Sequence, residues 1–311
     1  MSFKNVVVAG GGVLGSQIAF QAAYCGFDVT VWVRSEASIE RAKPKFERLK
    51  NIYLLTMDSM KKNPRAYCRG FCDDRHVKDC DIDAMKAQVE KAYDSIKFTT
   101  SYEEAAKDAD LVIESIAENP QDKIAFYEEL AKYLPEKTVI VTNSSTMLPS
   151  TFAEHTGRPE KYLALHFANE IWRNNTAEIM GHPGTDKKYY EQVVEFAKEI
   201  RMVPLKLNKE QPGYILNSML VPFLSAAESL LANDVADVET IDKTWMLATG
   251  APAGPFRILD IVGLTTAYNI VIMNPEISNP DSDSAKIAAK LKEYIDAGKT
   301  GINAGEGFYK Y

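Results

Sequence analysis

The sequence predicts an α/β fold, a doubly wound and mostly parallel sheet followed by a C-terminal all-helical domain. Three observations carry that prediction. Short β-branched runs alternate with helical patterns from Lys4 to Leu207, the rhythm of strands joined by crossover helices. A glycine cluster separates the first such run from the first helical pattern. Beyond about Asn208 only helical periodicity remains.

Taken in order, Val6 to Ala9 is an apolar β-branched run suited to burial on both faces. Gly10, Gly12 and Gly15 follow in G-x-G-x-x-G spacing, and Val13 and Leu14 open a helix that runs through Ala23. The first glycine permits a tight turn, the second lets a pyrophosphate approach the backbone, and the third lets helix and strand pack closely. The helix start offers N–H groups and the positive end of its dipole to a phosphate. This cluster follows a strand, opens a helix and precedes a second strand at Val29 to Val33. It therefore reads as a Rossmann-type dinucleotide site and not as a glycine-rich turn without a ligand.

Helices at Glu36 to about Asn51 and Asp81 to about Tyr93 make an excursion over about 36–93, where a crossover usually has a single helix. Lys61, Lys62, Arg65 and Arg69 lie between them, either as a solvated charged hairpin or as a clamp for an elongated anionic ligand. Strands then recur at Ile96–Phe98, Leu111–Ile113, Val139–Val141, Tyr162–Phe167, Ala177–Met180 and Val203–Leu207. Helices at Tyr102–Lys107, Gln121–Tyr133 and Lys187–Ile200 separate them, so the first domain is expected to span 1–206. In the second, 207–311, Tyr214 to Leu231 carries Leu216, Leu220, Phe223, Leu224, Ala227 and Leu231 at helical spacing. Three more helices are expected, at Val238–Thr249, Phe256–Met273 and Ala285–Ala297, before a glycine-rich end from Gly301 to Tyr311. Such a domain suits oligomerisation or closure over a cleft.

The net charge of −7 excludes a general nucleic-acid binder, and no run approaches the ~18 apolar residues that a membrane helix needs. The chain enters its first strand with no room for a signal peptide, which makes the expected location cytoplasmic. Cys68, Cys72, His76 and Cys80 stand four residues apart, a spacing on which a zinc site is conceivable. C-x3-C is not the usual C-x2-C, however, and Gly70 interrupts a continuous helix, so reduced thiols and no metal are expected.

A nicotinamide cofactor needs a partner that moves a proton while hydride moves. Of His76, His155, His166 and His182, His166 is well placed, because it ends a strand of the nucleotide domain, where ligands of open α/β sheets bind. Glu178, on the next strand, can hold the far nitrogen of its imidazole. By spacing alone, a core histidine is as good a reading as a catalytic one.

Ordered blocks along the chain extend the argument. After the glycine fingerprint come Ile113-Glu114-Ser115-Ile116-Ala117-Glu118-Asn119 with Lys123, then Thr142-Asn143-Ser144-Ser145-Thr146, then His166-Phe167-Ala168-Asn169 with Glu178. Pro212-Gly213-Tyr214-Ile215-Leu216-Asn217, Ile241-Asp242, Gly254-Pro255-Phe256, Leu259 to Leu264 and the terminal Gly305 to Tyr311 complete the pattern. In these blocks the chain resembles the L-3-hydroxyacyl-CoA dehydrogenases of the short-chain, two-domain type. The resemblance implies a His166–Glu178 dyad, with His166 exchanging the proton of a 3-hydroxyl while hydride passes to or from the nicotinamide. It further implies that Asn169 and Ser145 hydrogen-bond the reacting oxygen or the nicotinamide, and that Asn217 binds substrate from the helical domain. Val13, Leu14, Glu118, Lys123 and Asn143 match cofactor-contacting positions. Lys61 and Lys62 fit a coenzyme A clamp, and the helical domain implies a homodimer.

Departures from the family pattern sharpen the expectation. No acidic residue ends the second strand. Val33 stands in its place, followed by Arg34 and Ser35, a pair suited to a 2′-phosphate, so NADP(H) is expected in preference to NAD(H). Glu170, Trp172 and Arg173 replace residues that are usually apolar, and Arg173 is a candidate ligand for a substrate carboxylate. The leading expectation is a dehydrogenase of short 3-hydroxyacyl-CoA. A dehydrogenase of a small free hydroxy acid or sugar acid, of the gulonate 3-dehydrogenase kind, is the alternative, and a non-catalytic nucleotide-binding relative is the third.

Overall fold

The structure is a computed structural model that describes residues 2–72 and 80–311. It divides into two compact units, Met1–Ile215 and Leu216–Tyr311. The first contains β1 (Asn5–Ala9), α1 (Val13–Tyr24), β2 (Asp28–Trp32), α2 (Glu36–Lys62), α3 (Ile82–Ser95), β3 (Lys97–Thr99) and α4 (Tyr102–Ala106). It continues with β4 (Leu111–Glu114), α5 (Pro120–Leu130), β5 (Val139–Thr142), β6 (Tyr162–Phe167), β7 (Thr176–Met180), α6 (Lys187–Glu199) and β8 (Val203–Lys206).

These strands form one sheet in the order β3-β2-β1-β4-β5-β6-β7-β8. Pairing is parallel except between β6 and β7, which run antiparallel. The inner strands β1, β4, β5 and β6 are mostly apolar because both faces of the sheet are covered, with polar residues such as Glu114, Thr142 and His166 at their carboxyl ends. Val6 and Val8 of β1 face a core with Ile18, Phe46 and Val193, while Val7 and Ala9 face the other, with Phe126, Leu130 and Tyr162. The antiparallel pair sets His166 opposite Glu178. Side chains directly opposite on neighbouring strands share a face of the sheet.

The excursion is longer than its sequence reading. Phe46, Leu49, Tyr53, Met57 and Met60 continue the buried stripe of α2, so the helix passes Asn51 and ends at Lys62. Beyond α2 the chain is anchored at Gly70, whose N–H donates at 3.0 Å to the carbonyl of Trp172 in the connection between β6 and β7. A Cβ at Gly70 would stand 2.6 Å from the Trp172 backbone, so only glycine fits there. Buried Gln21 donates to the Gly70 and Ile200 carbonyls and accepts from the Tyr53 hydroxyl. Cys68 and Cys72 are buried in this packing, and burial pushes the Cys68 thiol up. His76 lies outside the described residues, and among the described residues no group of His, Cys, Asp and Glu is placed to hold a metal ion.

The first unit reaches past the composition shift near Asn208 because the following residues are tied to the sheet. Leu207 donates its N–H to Ile179, and Ile215 donates its own to Glu178. Helix α7 (Tyr214–Ala232) starts in the last two residues of this unit. The second unit continues with α8 (Val238–Thr249), α9 (Pro255–Val262), α10 (Leu264–Val271) and α11 (Asp283–Asp296). The single helix expected over Phe256–Met273 is two, because Gly263, at φ +92°, turns the chain between them. A membrane-length apolar helix was not expected either. Yet α7 is 19 residues long with a mean hydropathy of 1.5, enough by length and composition to cross a membrane. Asn217, Ser218, Pro222, Ser225 and Glu228 interrupt its apolar run without lowering the average below that mark.

Leu224 and Ala227 of α7 pack with Ile241, Phe256, Leu259, Leu264 and Leu291. The glycine-rich terminus is latched onto two buried carboxylates of this unit. Asp260 accepts from the N–H groups of Phe308 and Tyr309 and from the Tyr311 hydroxyl. Asp242 accepts from the N–H groups of Phe256 and Arg257 and from the Tyr309 hydroxyl.

Candidate active site

A cleft of about 460 Å³ opens at the carboxyl ends of β1, β2 and β4, walled by Gly10 to Gly12, Trp32 to Arg34 and Ser115 to Ala117. The glycines are there for close approach. A Cβ at Gly10 would stand 2.3 Å from the Ser115 carbonyl oxygen, and one at Gly15 would stand 2.2 Å from that of Gly10. A Cβ at Gly12 would meet nothing within 4 Å, so this glycine keeps space open. Gly12 is the N-cap of α1, with no side-chain cap and no acidic residue in the first turn. The first N–H groups of α1 have no partner within the helix and suit a pyrophosphate. The cleft thus fits a dinucleotide.

At its β2 end the cleft is basic. Arg34, Ser38, Arg41 and Lys45 all contribute to the wall. Arg41 donates to Ser38 Oγ at 2.7 Å, and Lys45 donates to the Gly11 carbonyl at 2.9 Å. Ser35 is instead the N-cap of α2, with its hydroxyl 3.0 Å from that of Ser38. Sequence reading stopped at Arg34 and Ser35 and missed the three residues on α2. Their positions, 38, 41 and 45, follow the helical period on one face and were the signal that could have found them.

Further along the sheet, His166 Nδ1 lies 3.0 Å from Glu178 Oε2, with both side chains buried. A carboxylate only accepts, so Nδ1 carries the hydrogen and Nε2 is left with its lone pair. Nε2 in turn lies 3.1 Å from Ser145 Oγ. The second oxygen of Glu178 accepts the Ile215 N–H at 2.8 Å, which fixes the carboxylate's orientation. Tyr214, which sequence reading did not single out, stacks on the imidazole. The arrangement can accept a proton at Nε2, or return one, from an oxygen held near Ser145.

A second network lies behind Ser145. Fully buried Glu114 accepts from Lys123 Nζ at 2.7 Å, and from the Tyr127 and Thr142 hydroxyls and the Ile116 N–H, each at 2.8 Å. Glu118 accepts from the Ser145 N–H and the Ser144 hydroxyl, with Lys123 Nζ 3.7 Å away. Lys123 is therefore buried between two carboxylates, and Glu118 shapes the loop that presents Ser145. Asn143 Oδ1 accepts the Phe167 N–H and so ties the ends of β5 and β6 together.

The remaining predicted residues are spread more widely. Val13 and Leu14 open α1, with Val13 exposed. Asn169 is exposed two residues beyond β6, where its carbonyl accepts from Asn174. Arg173 is exposed, with its Nε 3.9 Å from Glu170. Lys61 is ion-paired to Asp83 at 2.5 Å, and Lys62 is exposed at the end of α2. Asn217 lies on α7 in the second unit.

Comparison with known proteins fits this architecture. Residues 5–211 match the family described as 3-hydroxyacyl-CoA dehydrogenase, NAD binding domain, and residues 213–311 match its C-terminal domain. The chain is 32% identical to the mitochondrial hydroxyacyl-coenzyme A dehydrogenase of Sus scrofa, over 99% of this chain and 91% of that protein. It is 30% identical to a probable 3-hydroxybutyryl-CoA dehydrogenase of Deinococcus radiodurans, over 98% and 99% of the two chains. Among solved structures, a diketoreductase described for substrate-directed dual catalysis of dicarbonyl compounds superposes with a TM-score of 0.85, at 48% identity over 100% of both chains. Fold and sequence agree, and a nicotinamide cofactor and oxidoreductase chemistry at a CH–OH group come with them: the chain belongs to the 3-hydroxyacyl-CoA dehydrogenase family.

Proposed function

We propose that the protein transfers a hydride between a nicotinamide dinucleotide and carbon 3 of a short 3-hydroxyacyl or 3-oxoacyl thioester, with His166 and Glu178 as the proton relay. The observation that carries this reading is the Glu178–His166–Ser145 chain, linked at 3.0 and 3.1 Å at the strand ends of the dinucleotide-binding unit. When bound, the cofactor supplies the hydride acceptor or donor. Glu178 holds the Nδ1 hydrogen and stabilises the imidazolium, while Nε2 takes the hydroxyl proton in oxidation and returns it in reduction. Ser145, presented by Glu118, and Asn169 orient the reacting oxygen. His166→Gln is expected to retain nucleotide binding and lose turnover by about 10²–10⁴-fold. Full activity in that variant would remove His166 from the mechanism.

A second reading, reduction of a dicarbonyl compound that carries no coenzyme A, is favoured by the 48% identity to the diketoreductase. The ion pair between Lys61 and Asp83 also leaves less charge for a coenzyme A clamp. Assaying acetoacetyl-CoA and a free 3-oxo acid or diketo ester, each with NADH and NADPH, separates the two readings.

We further propose a preference for NADP(H). It is supported by Val33 at the end of β2 and by Arg34, Ser38, Arg41 and Lys45 around that end of the cleft. A higher kcat/KM with NADPH, reversed by Arg34→Asp combined with Arg41→Ala, is the expected result; a higher value with NADH in the native enzyme overturns the preference. A homodimer through the helical unit completes the proposal, supported by the exposed Met219, Leu247, Ile261 and Met273 of that unit. A monomeric mass at micromolar concentration in sedimentation would dismiss it.

A further inference from the structure

The ring of Tyr214 lies against that of His166, with centroids 4.4 Å apart and planes 13° from parallel. Tyr214 reaches this position at φ +55°, a left-handed conformation that a bulky side chain keeps only where its surroundings hold it. Its own hydroxyl holds it, by donating to the Ser144 carbonyl at 2.8 Å. The residue after Tyr214 gives its N–H to Glu178, and the residue after Ser144 meets His166 Nε2. One strained turn therefore touches both members of the dyad, at the face of the imidazole and behind the carboxylate.

We propose that Tyr214 is a positioning residue for His166: its ring sets the plane of the imidazole, and its π face stabilises the imidazolium that forms when Nε2 takes a proton. This rests on the reading of His166 as the proton carrier. An aromatic face attracts a cation placed over it. Donation of the phenol hydrogen to Ser144 enriches the ring in electron density and strengthens that attraction. Burial, with Glu118, Glu178 and Glu114 nearby, pushes the Tyr214 phenol well above its ordinary range, so it stays neutral and takes no part in the proton exchange itself. The other charges around the site act through hydrogen bonds. Glu178 sits on Nδ1, Glu118 lies behind the Ser145 N–H, and Glu114 is balanced by Lys123. The stack is a separate contribution, made through the ring face.

The test is a proton–nitrogen NMR titration of the His166 imidazole, with its signal assigned by its loss in His166→Gln. Tyr214→Leu is expected to lower the imidazole pKa by about half to one unit. It should also lower kcat by roughly tenfold, with KM for substrate and nucleotide within about twofold, because the lost interaction belongs to the charged state. Tyr214→Phe keeps the ring and is expected to restore most of both quantities. If the leucine variant fails to fold, phenylalanines of increasing fluorination at position 214 keep the shape while weakening the π face. The imidazole pKa should then fall stepwise along that series. A titration that does not move across the series overturns the proposal even if His166→Gln is inactive. Full activity of His166→Gln overturns the underlying reading instead.

Discussion

Both units bury carboxylates, and they neutralise them differently. In the dinucleotide-binding unit, Glu114 and Glu178 receive hydrogens mostly from side chains, namely Lys123, Tyr127, Thr142 and His166. In the helical unit, Asp242 and Asp260 receive four backbone N–H groups, and tyrosine hydroxyls complete their shells. A backbone N–H cannot give up its proton, and these aspartates latch the chain terminus and the start of α9. Among the side chains that donate to Glu114 and Glu178, the imidazole presents a further nitrogen, Nε2, 3.1 Å from Ser145 Oγ. Glu228 of α7 is buried with no partner for its Oε1 among the described residues, and burial pushes its carboxyl up to about 7. The comparison teaches that a carboxylate's donors, more than its burial, decide whether it serves chemistry or architecture.

The difference can be broken from either side. The largest effect is expected from Glu178→Gln, which removes the carboxylate charge that faces Nδ1 and should cost about 10²–10³-fold in kcat. Its thermal midpoint should change little, as checked by steady-state kinetics and calorimetry on one preparation. Gly307→Ala should do the reverse. Its Cβ would stand 2.0 Å from Asp260 Oδ1, so the terminal latch must open, with a loss of roughly 3 kcal/mol in urea unfolding. Glu228→Gln is expected to stabilise the chain, but only at higher pH. The folded chain holds this proton more tightly than the unfolded one, so Glu228 is harmless below about 4.5 and costs stability as pH rises through about 7. At pH 8 the glutamine variant should gain roughly 1–3 kcal/mol in urea unfolding, and at pH 4 nothing. Lys61→Ala sharpens the comparison most finely. Stability should not change measurably, whereas a rise in KM confined to coenzyme A thioesters would assign that side chain to the substrate.

The fold was legible because each of its signals is local. The β-branched runs, the glycine spacing at 10, 12 and 15, and the helical stripes all report on neighbours a few residues away. His166 and Glu178 were legible for the same reason, as a strand end and the strand that follows. Gly263 was missed because apolar periodicity runs straight across it while its backbone turns. The length of α2 was missed because the consecutive apolar residues Ile52 to Leu55 blur the helical period that Tyr53, Met57 and Met60 continue beyond Asn51. Tyr214 and Asp260 acquire their roles from partners 48 to 70 residues away, and Asp242 meets Tyr309 67 residues on, pairings that no window of sequence displays. Lys123 illustrates the limit from another direction. It was read as a cofactor contact, and its burial between two carboxylates was not foreseen.

The antiparallel step between β6 and β7 has a practical consequence. Because His166 and Glu178 face each other as a cross-strand pair, a slip of one residue would send Glu178 to the opposite side of the sheet. With His166 and Glu178 as the proposed proton relay, turnover recovered after dilution from denaturant is expected to report correct threading of the seventh strand, and not collapse alone. On the proposed relay, an activity assay doubles as a readout of β-sheet register.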